Sequence, residues 1–156
     1  MNPLAMYVPK DGEYANWEVD LATRYPLALA EMGRPSASLG SFEASATARW
    51  GIECAAGWRP ILVRLLDRLE AAIAAQPAEM QDDFRIAQIK EKFGRLTVYL
   101  ASASTPAMTA AIDEAGEASL VTCEACGAPG RLAERRLFWS VKCAAHESWT
   151  PLDPLV

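Results

Sequence analysis

The chain has 156 residues, 51% of them hydrophobic and 22% charged, a balance that excludes a disordered or fibrous protein and leaves room for one domain plus a small appended module. Its formal net charge of −5 argues against a general nucleic-acid-binding surface, which needs a basic excess. No apolar run is long enough to span a bilayer, and the opening residues lack the basic and apolar regions of a secretory leader, so a cytoplasmic protein is expected.

Residues 1–20 show no periodicity and read as an arm, which Tyr7, Tyr14 and Trp17 can anchor to the body through their rings. Residues 21–32 are expected to form a short helix with Pro26 in its first turn, stopped by Gly33 and Pro35. Residues 34–48, rich in Ser, Ala and Gly, read as a long loop. From 58 to 76, Trp58, Ile61, Leu62, Leu65, Leu69 and Ile73 recur at three- and four-residue steps, which predicts an amphipathic helix ended by Pro77.

A hairpin follows. One strand is expected over 84–90 and another over 95–100, where Leu96, Val98 and Leu100 alternate with Arg95, Thr97 and Tyr99 around a turn at 91–94. Thr105 and Pro106 have the chemistry of an N-cap and first helical residue. The helix they open places Met108, Ile112, Ala115 and Ser119 on its packing face and runs toward Val121.

The last third carries the clearest chemistry. Cys123-Glu-Ala-Cys126 is followed, after sixteen residues, by Cys143-Ala-Ala-His146, and His146 is the chain's one histidine. Two short knuckles at this separation turn four ligands toward one tetrahedral ion, the pattern of a structural Zn2+ site with no open coordination position. Between the knuckles, two short strands over 131–136 and 137–142 complete the layout of a zinc ribbon or treble clef, although Pro151 and Pro154 limit any helix after His146. Cysteine used for metal rather than disulfides also suits a reducing compartment. The fold expected is α+β: helices packed on a small antiparallel hairpin or sheet, with a C-terminal zinc-ribbon or treble-clef-like finger. The divisions expected are an arm at 1–20, a body at 21–120, a finger at 121–150 and a tail at 151–156.

Several motifs occur in order: Arg24-Tyr25-Pro26, Trp50-Gly-Ile-Glu-Cys-x-x-Gly-Trp58, Gln88-Ile-Lys-Glu-Lys-Phe-Gly-x-Leu96, Ile112-x-x-Ala115-x-x-x-Ser119, Cys123-Glu-x-Cys-Gly-x-Pro-Gly130, Trp139 and the Cys143-x-x-His146 knuckle. Over about residues 24–148 the chain resembles a family of small zinc-finger proteins found in phages, prophages and bacteria. It departs from that pattern in three places. Ala55-Ala56-Gly57-Trp58 stands for Gly-Asp-Gly-Trp, Thr97-Val98-Tyr99 for Arg-Phe-Tyr, and Phe138-Trp139 for a Gly-Trp. The resemblance implies a zinc-binding, phage-associated protein and brings no activity with it.

An enzyme is not expected. With His146 committed to metal, no imidazole remains to act as general base, and Cys54 is a lone thiol that reads as buried structure. Zinc deaminases are excluded because no His-x-Glu precedes the first knuckle. Arg131, Arg135, Arg136 and Lys142 with Phe138 and Trp139, and Lys90, Lys92, Phe93 and Arg95 around the first hairpin turn, supply the aromatic and cationic residue types that dominate interfaces. A protein partner is the expectation, with nucleic acid on the 131–142 hairpin as the alternative. Neither the partner's identity nor the oligomeric state is written in the sequence.

Overall fold

In the computed structural model, residues 14–33, 45–146 and 150–151 are described. The expected features at 1–13, including Tyr7, and at 34–44 lie outside them.

The first helix, α1 (Asn16–Arg24), lies earlier than the sequence suggested. The Glu18 carboxylate reaches back to the Ala15 N–H at 2.7 Å and starts it. Pro26 ends this helix rather than opening one. A residue before proline is pushed out of the helical region, and Tyr25 duly has φ −121° and ψ 65°. A turn and a short 3-10 segment (Ala30–Gly33) continue the chain. The N–H groups of Leu27 and Ala28 donate to the Glu70 carboxylate at 3.1 and 2.8 Å.

Part of the expected loop is helical. Ser45 caps α2 (Ala46–Trp50) by accepting from the Ala48 N–H at 3.1 Å. A two-residue strand, β1 (Ile52–Glu53), follows and pairs in parallel with β2 (Ile86–Lys92). An element that short has no periodicity to read. The long helix α3 (Arg59–Ala74) matches its predicted stripe: Ile61, Leu62, Leu65, Leu66, Leu69 and Ile73 are buried. After Pro77 comes α4 (Ala78–Asp83), in which no residue is buried and which therefore left no apolar signature.

Strands β2 and β3 (Arg95–Leu100) pair antiparallel, and pairing continues to Lys92 opposite Arg95, so the turn is the two residues Phe93-Gly94 rather than four. In α5 (Pro106–Ser119) the Thr105 hydroxyl accepts from the Met108 N–H at 3.3 Å, as the capping chemistry predicted. Its buried face is Met108, Ala111, Ala115, Gly116 and Ser119, with Ile112 partly buried. α5 packs against α3 and β3, and the Ser119 hydroxyl accepts the Leu96 N–H at 2.8 Å on the outer edge of β3.

Leu21, Tyr25, Leu29, Trp58, the α3 stripe, Phe84, Ile86, Ile89, Leu96 and Met108 form one core. The fold is α+β, with a three-stranded mixed sheet in the order β1-β2-β3. A second sheet belongs to the C-terminal part: β4 (Arg131–Arg135) lies between β5 (Phe138–Lys142) and β6 (Thr150–Pro151), all antiparallel. Among the described residues no helix is long and apolar enough to cross a membrane.

Candidate metal centre

The loop after α5 builds the first knuckle. The Cys123 N–H donates to Ala128 O at 2.7 Å, and the Gly127 N–H, at a φ of 80°, donates to Cys123 O at 2.8 Å. These bonds fold residues 123–128 into a tight loop that carries a buried Cys123 and an exposed Cys126. The β4–β5 hairpin then returns the chain to Cys143, and a 3-10 turn (Ala144–His146) with His146 N–H to Cys143 O at 3.0 Å swings the imidazole back. A 3-10 turn and the β6 pairing occupy the described part of the region where a treble clef carries its helix, so the arrangement is ribbon-like.

One ligand atom from each of Cys123, Cys126, Cys143 and His146 falls within 4.8 Å of the others. Cys126 Sγ is 3.6 Å from Cys143 Sγ; His146 Nδ1 is 3.7 Å from Cys123 Sγ and 3.2 Å from Cys143 Sγ. Metal–sulfur bonds of about 2.3 Å and metal–nitrogen bonds of about 2.0 Å at tetrahedral angles require edges of about 3.8 and 3.6 Å. The four residues thus have the spacing and donor set of a closed tetrahedral metal site.

The electrostatics agree. Burial works against a Cys123 thiolate, but N–H groups of Cys143, Cys126 and Ala125 and the Cys143 thiol outweigh it, so the Cys123 thiol lies below its ordinary range. The Ala128 N–H favours a Cys126 thiolate. Burial and the two neighbouring sulfurs outweigh that help and push the Cys126 thiol up. Sulfurs this close repel as anions, and a divalent cation removes the conflict.

The metal centre is joined to the body by the residues between β1 and α3. Glu124, between the first two ligands, is only 1% exposed. Its carboxylate accepts from the Ala55 N–H and from Ser140 Oγ, both at 3.0 Å. Burial raises its carboxyl above the ordinary range, partly offset by the Ala55 and Ser140 bonds. The Glu124 N–H donates to Val141 O at 3.0 Å, and the Trp58 indole N–H donates to Thr122 O at 2.9 Å. Gly57 lies against this knuckle so closely that a Cβ would stand 2.2 Å from Glu124 O and 2.6 Å from Cys123 O. The Trp50–Trp58 motif is thus the body's half of the seam. Sequence reading missed the seam because nothing in one chain pairs residue 55 with residue 124.

Of the candidate partner-binding residues, the structure brings Phe93 and Trp139 together, their rings 5.9 Å apart edge to face at 65°. Beside them Gly94 meets Leu132. Strand alternation and the cross-strand register put Arg131, Arg135, Phe138 and Lys142 on the other face of the second hairpin from Trp139. Arg95 lies over Gly116 and binds Glu117 at 2.5 Å, which draws it away from the turn toward α5. Lys92 Nζ donates to Tyr99 Oη at 3.0 Å. Arg135 and Arg136 are exposed and make no ion pair among the described residues, and Lys90 is half-buried. Cys54 is buried.

No family model matches the sequence, and no match is found among curated proteins or solved structures.

Proposed function

We propose that this chain is a small non-enzymatic protein, held together by a structural zinc ion, that acts by gripping another protein of a phage or of its bacterial host. The Phe93–Trp139 pair carries this reading. It joins the tip of the body hairpin to β5 of the finger hairpin and leaves Phe93 68% exposed, and the turn before β5 adds Leu137 at 87%. A run of large apolar side chains in solvent, held on two rigid hairpins, has the composition of an interface centre rather than of a monomer's surface. The non-enzymatic part is supported by His146, the one imidazole, lying among three thiols, and by the burial of Cys54. The motif resemblance supports the phage association, in which inhibition of a host defence system is the favoured role.

Nucleic acid on the 131–142 hairpin is the second reading, favoured by the exposed Arg135 and Arg136. Zinc-loaded protein used as bait in bacterial lysate separates the two. A protein captured by the wild type and lost with Phe93→Ser/Trp139→Ser is the expected result. Salt-dependent DNA or RNA binding lost with Arg135→Ser/Arg136→Ser, and no captured protein, overturns it.

A further inference from the structure

Both hairpins close through two-residue turns with positive φ at each central residue: Phe93 (50°) and Gly94 (81°), then Arg136 (49°) and Leu137 (68°). This is the mark of a type I′ turn, which favours Asn and Gly because an L side chain is strained there. Among the described residues, Phe93, Arg136 and Leu137 are the non-glycine residues with positive φ. Two of them, Phe93 and Leu137, also carry the two most exposed large apolar side chains described. Strain and exposed apolar surface therefore coincide at both hairpin turns, and the first turn meets the second hairpin at Trp139. Neither feature stabilises the fold, and backbone strain of this kind collects where a structure binds something.

Charge divides the molecule the same way. Residues 90–95 and 131–142 hold seven basic and two acidic residues, a balance of +5. The rest of the chain holds eight and eighteen, a balance of −10. A basic excess confined to the two hairpins of an otherwise acidic molecule favours a partner that is anionic locally.

We propose that the two hairpins, where the first turn meets the second at Trp139, dock an acidic protein segment: a short Asp- and Glu-rich stretch carrying a large apolar anchor. The anchor lies on Phe93 and Trp139, with the exposed Leu137 in the adjoining turn, and carboxylates meet Lys92 and Arg136. This rests on the protein-binding reading and adds the partner's chemistry. A polynucleotide fits less well. Phe93 and Trp139 meet edge to face and offer no parallel stack for successive bases, and the −10 remainder repels a long polyanion that a short acidic segment avoids.

The test is selection from a random-peptide display library on full-length, zinc-loaded protein, followed by anisotropy titration of the enriched peptide and of a labelled oligothymidine over a range of salt. A variant with relaxed tips, Phe93→Asn with Arg136→Asn and Leu137→Gly, serves as the control because it suits both turns. Enrichment of Asp and Glu around Leu, Phe or Trp is expected, with affinity that weakens as salt rises. The relaxed variant should melt a few degrees higher yet bind about tenfold or more weakly. Enriched peptides without acidic residues would overturn the acidic partner while leaving protein binding intact. Oligothymidine binding tighter than any peptide, or no enrichment at all, would remove both readings. Full affinity in the relaxed variant would also overturn the proposal, because the partner would then bind elsewhere.

Discussion

Trp58 donates its indole N–H to the backbone carbonyl of Thr122 at 2.9 Å, so the residue that opens the long helix is fastened to the residue before Cys123, the first of the candidate metal-binding cluster. Trp58 is fully buried. Trp58→Phe keeps most of the apolar contact but orphans the Thr122 carbonyl, and leaving one such group unsatisfied costs about 1–3 kcal/mol. A urea titration should show that loss as a lower midpoint with an unchanged slope. An unchanged midpoint would mean that the hydrogen bond is not what fastens the two parts.

Gly57 sits where the knuckle's backbone comes closest to the body. The atoms a Cβ would meet, Glu124 O, Cys123 O and Cys126 N, are all main chain and cannot turn aside as a side-chain tip can. Gly57→Ala is expected to cost about 1–3 kcal/mol, as overpacking does, and to weaken metal affinity because the displaced atoms hold two of the ligands. Competition with a chromogenic chelator measures the second effect. Lower stability with unaltered affinity would show that the knuckle moves as a rigid piece.

Glu124 separates two roles of a carboxylate. Its two oxygens each accept one bond, from Ala55 N–H and Ser140 Oγ, and its burial penalises the charge. Glu124→Gln keeps an acceptor for Ala55, offers an amide N–H to Ser140, and removes the buried charge. It should fold with a melting temperature at or above wild type. Glu124→Ala orphans both groups, at about 1–3 kcal/mol each. Equal losses in the two variants would mean that the charge itself stabilises the fold.

One zinc per chain is expected by elemental analysis, falling sharply in Cys123→Ser and in His146→Ala. Because of the seam through Glu124, Trp58 and Gly57, chelation should also loosen the body. Hydrogen exchange should rise around residues 52–58 as well as at 123–146. Exchange confined to 123–146 would show that the body keeps its half of the seam without metal. Undiminished metal in both variants would refute the ligand set.

How much of this was legible in the sequence follows from how local each signal is. The α3 stripe, the Thr105 cap and the two knuckles are repeats or spacings within a short window, and each lies where its pattern placed it. The elements missed were those whose cause is distant or absent. β1 is two residues and exists because Ile52 finds Ile89. α4 buries nothing. α1 was misplaced because Pro26 suits either end of a helix, and the Glu18 cap and the pre-proline backbone of Tyr25 decided it. At the candidate metal centre the Cys and His cluster was readable but the seam was not, since Ala55, Gly57 and Trp58 look unremarkable until Glu124 and Thr122 stand beside them. The first hairpin tip was readable as a turn, whereas Arg136 and Leu137 read as strand residues and form a turn instead, because with Phe93 they occupy left-handed positions where turn chemistry prefers Asn or Gly, at about 1–2 kcal/mol for each.

Tyr25 gives the fold a pH dependence far from the metal. Its buried hydroxyl donates to Asp67 Oδ1 at 2.6 Å. Burial first, and then that bond, raise its pKa from the ordinary 10 to about 12. The folded value lies above the unfolded one, so its contribution to stability is complete below pH 10 and is lost as pH rises through about 12. Tyr99 shifts the other way, because the Lys92 ammonium donates to its oxygen. An alkaline titration of phenolate absorbance should therefore show Tyr99 ionising before Tyr25. Tyr25→Phe should remove the last step, cost about 0.5–1.5 kcal/mol at neutral pH, and flatten the decline in stability above pH 10. An unaltered alkaline decline in that variant would assign the pH dependence to another group.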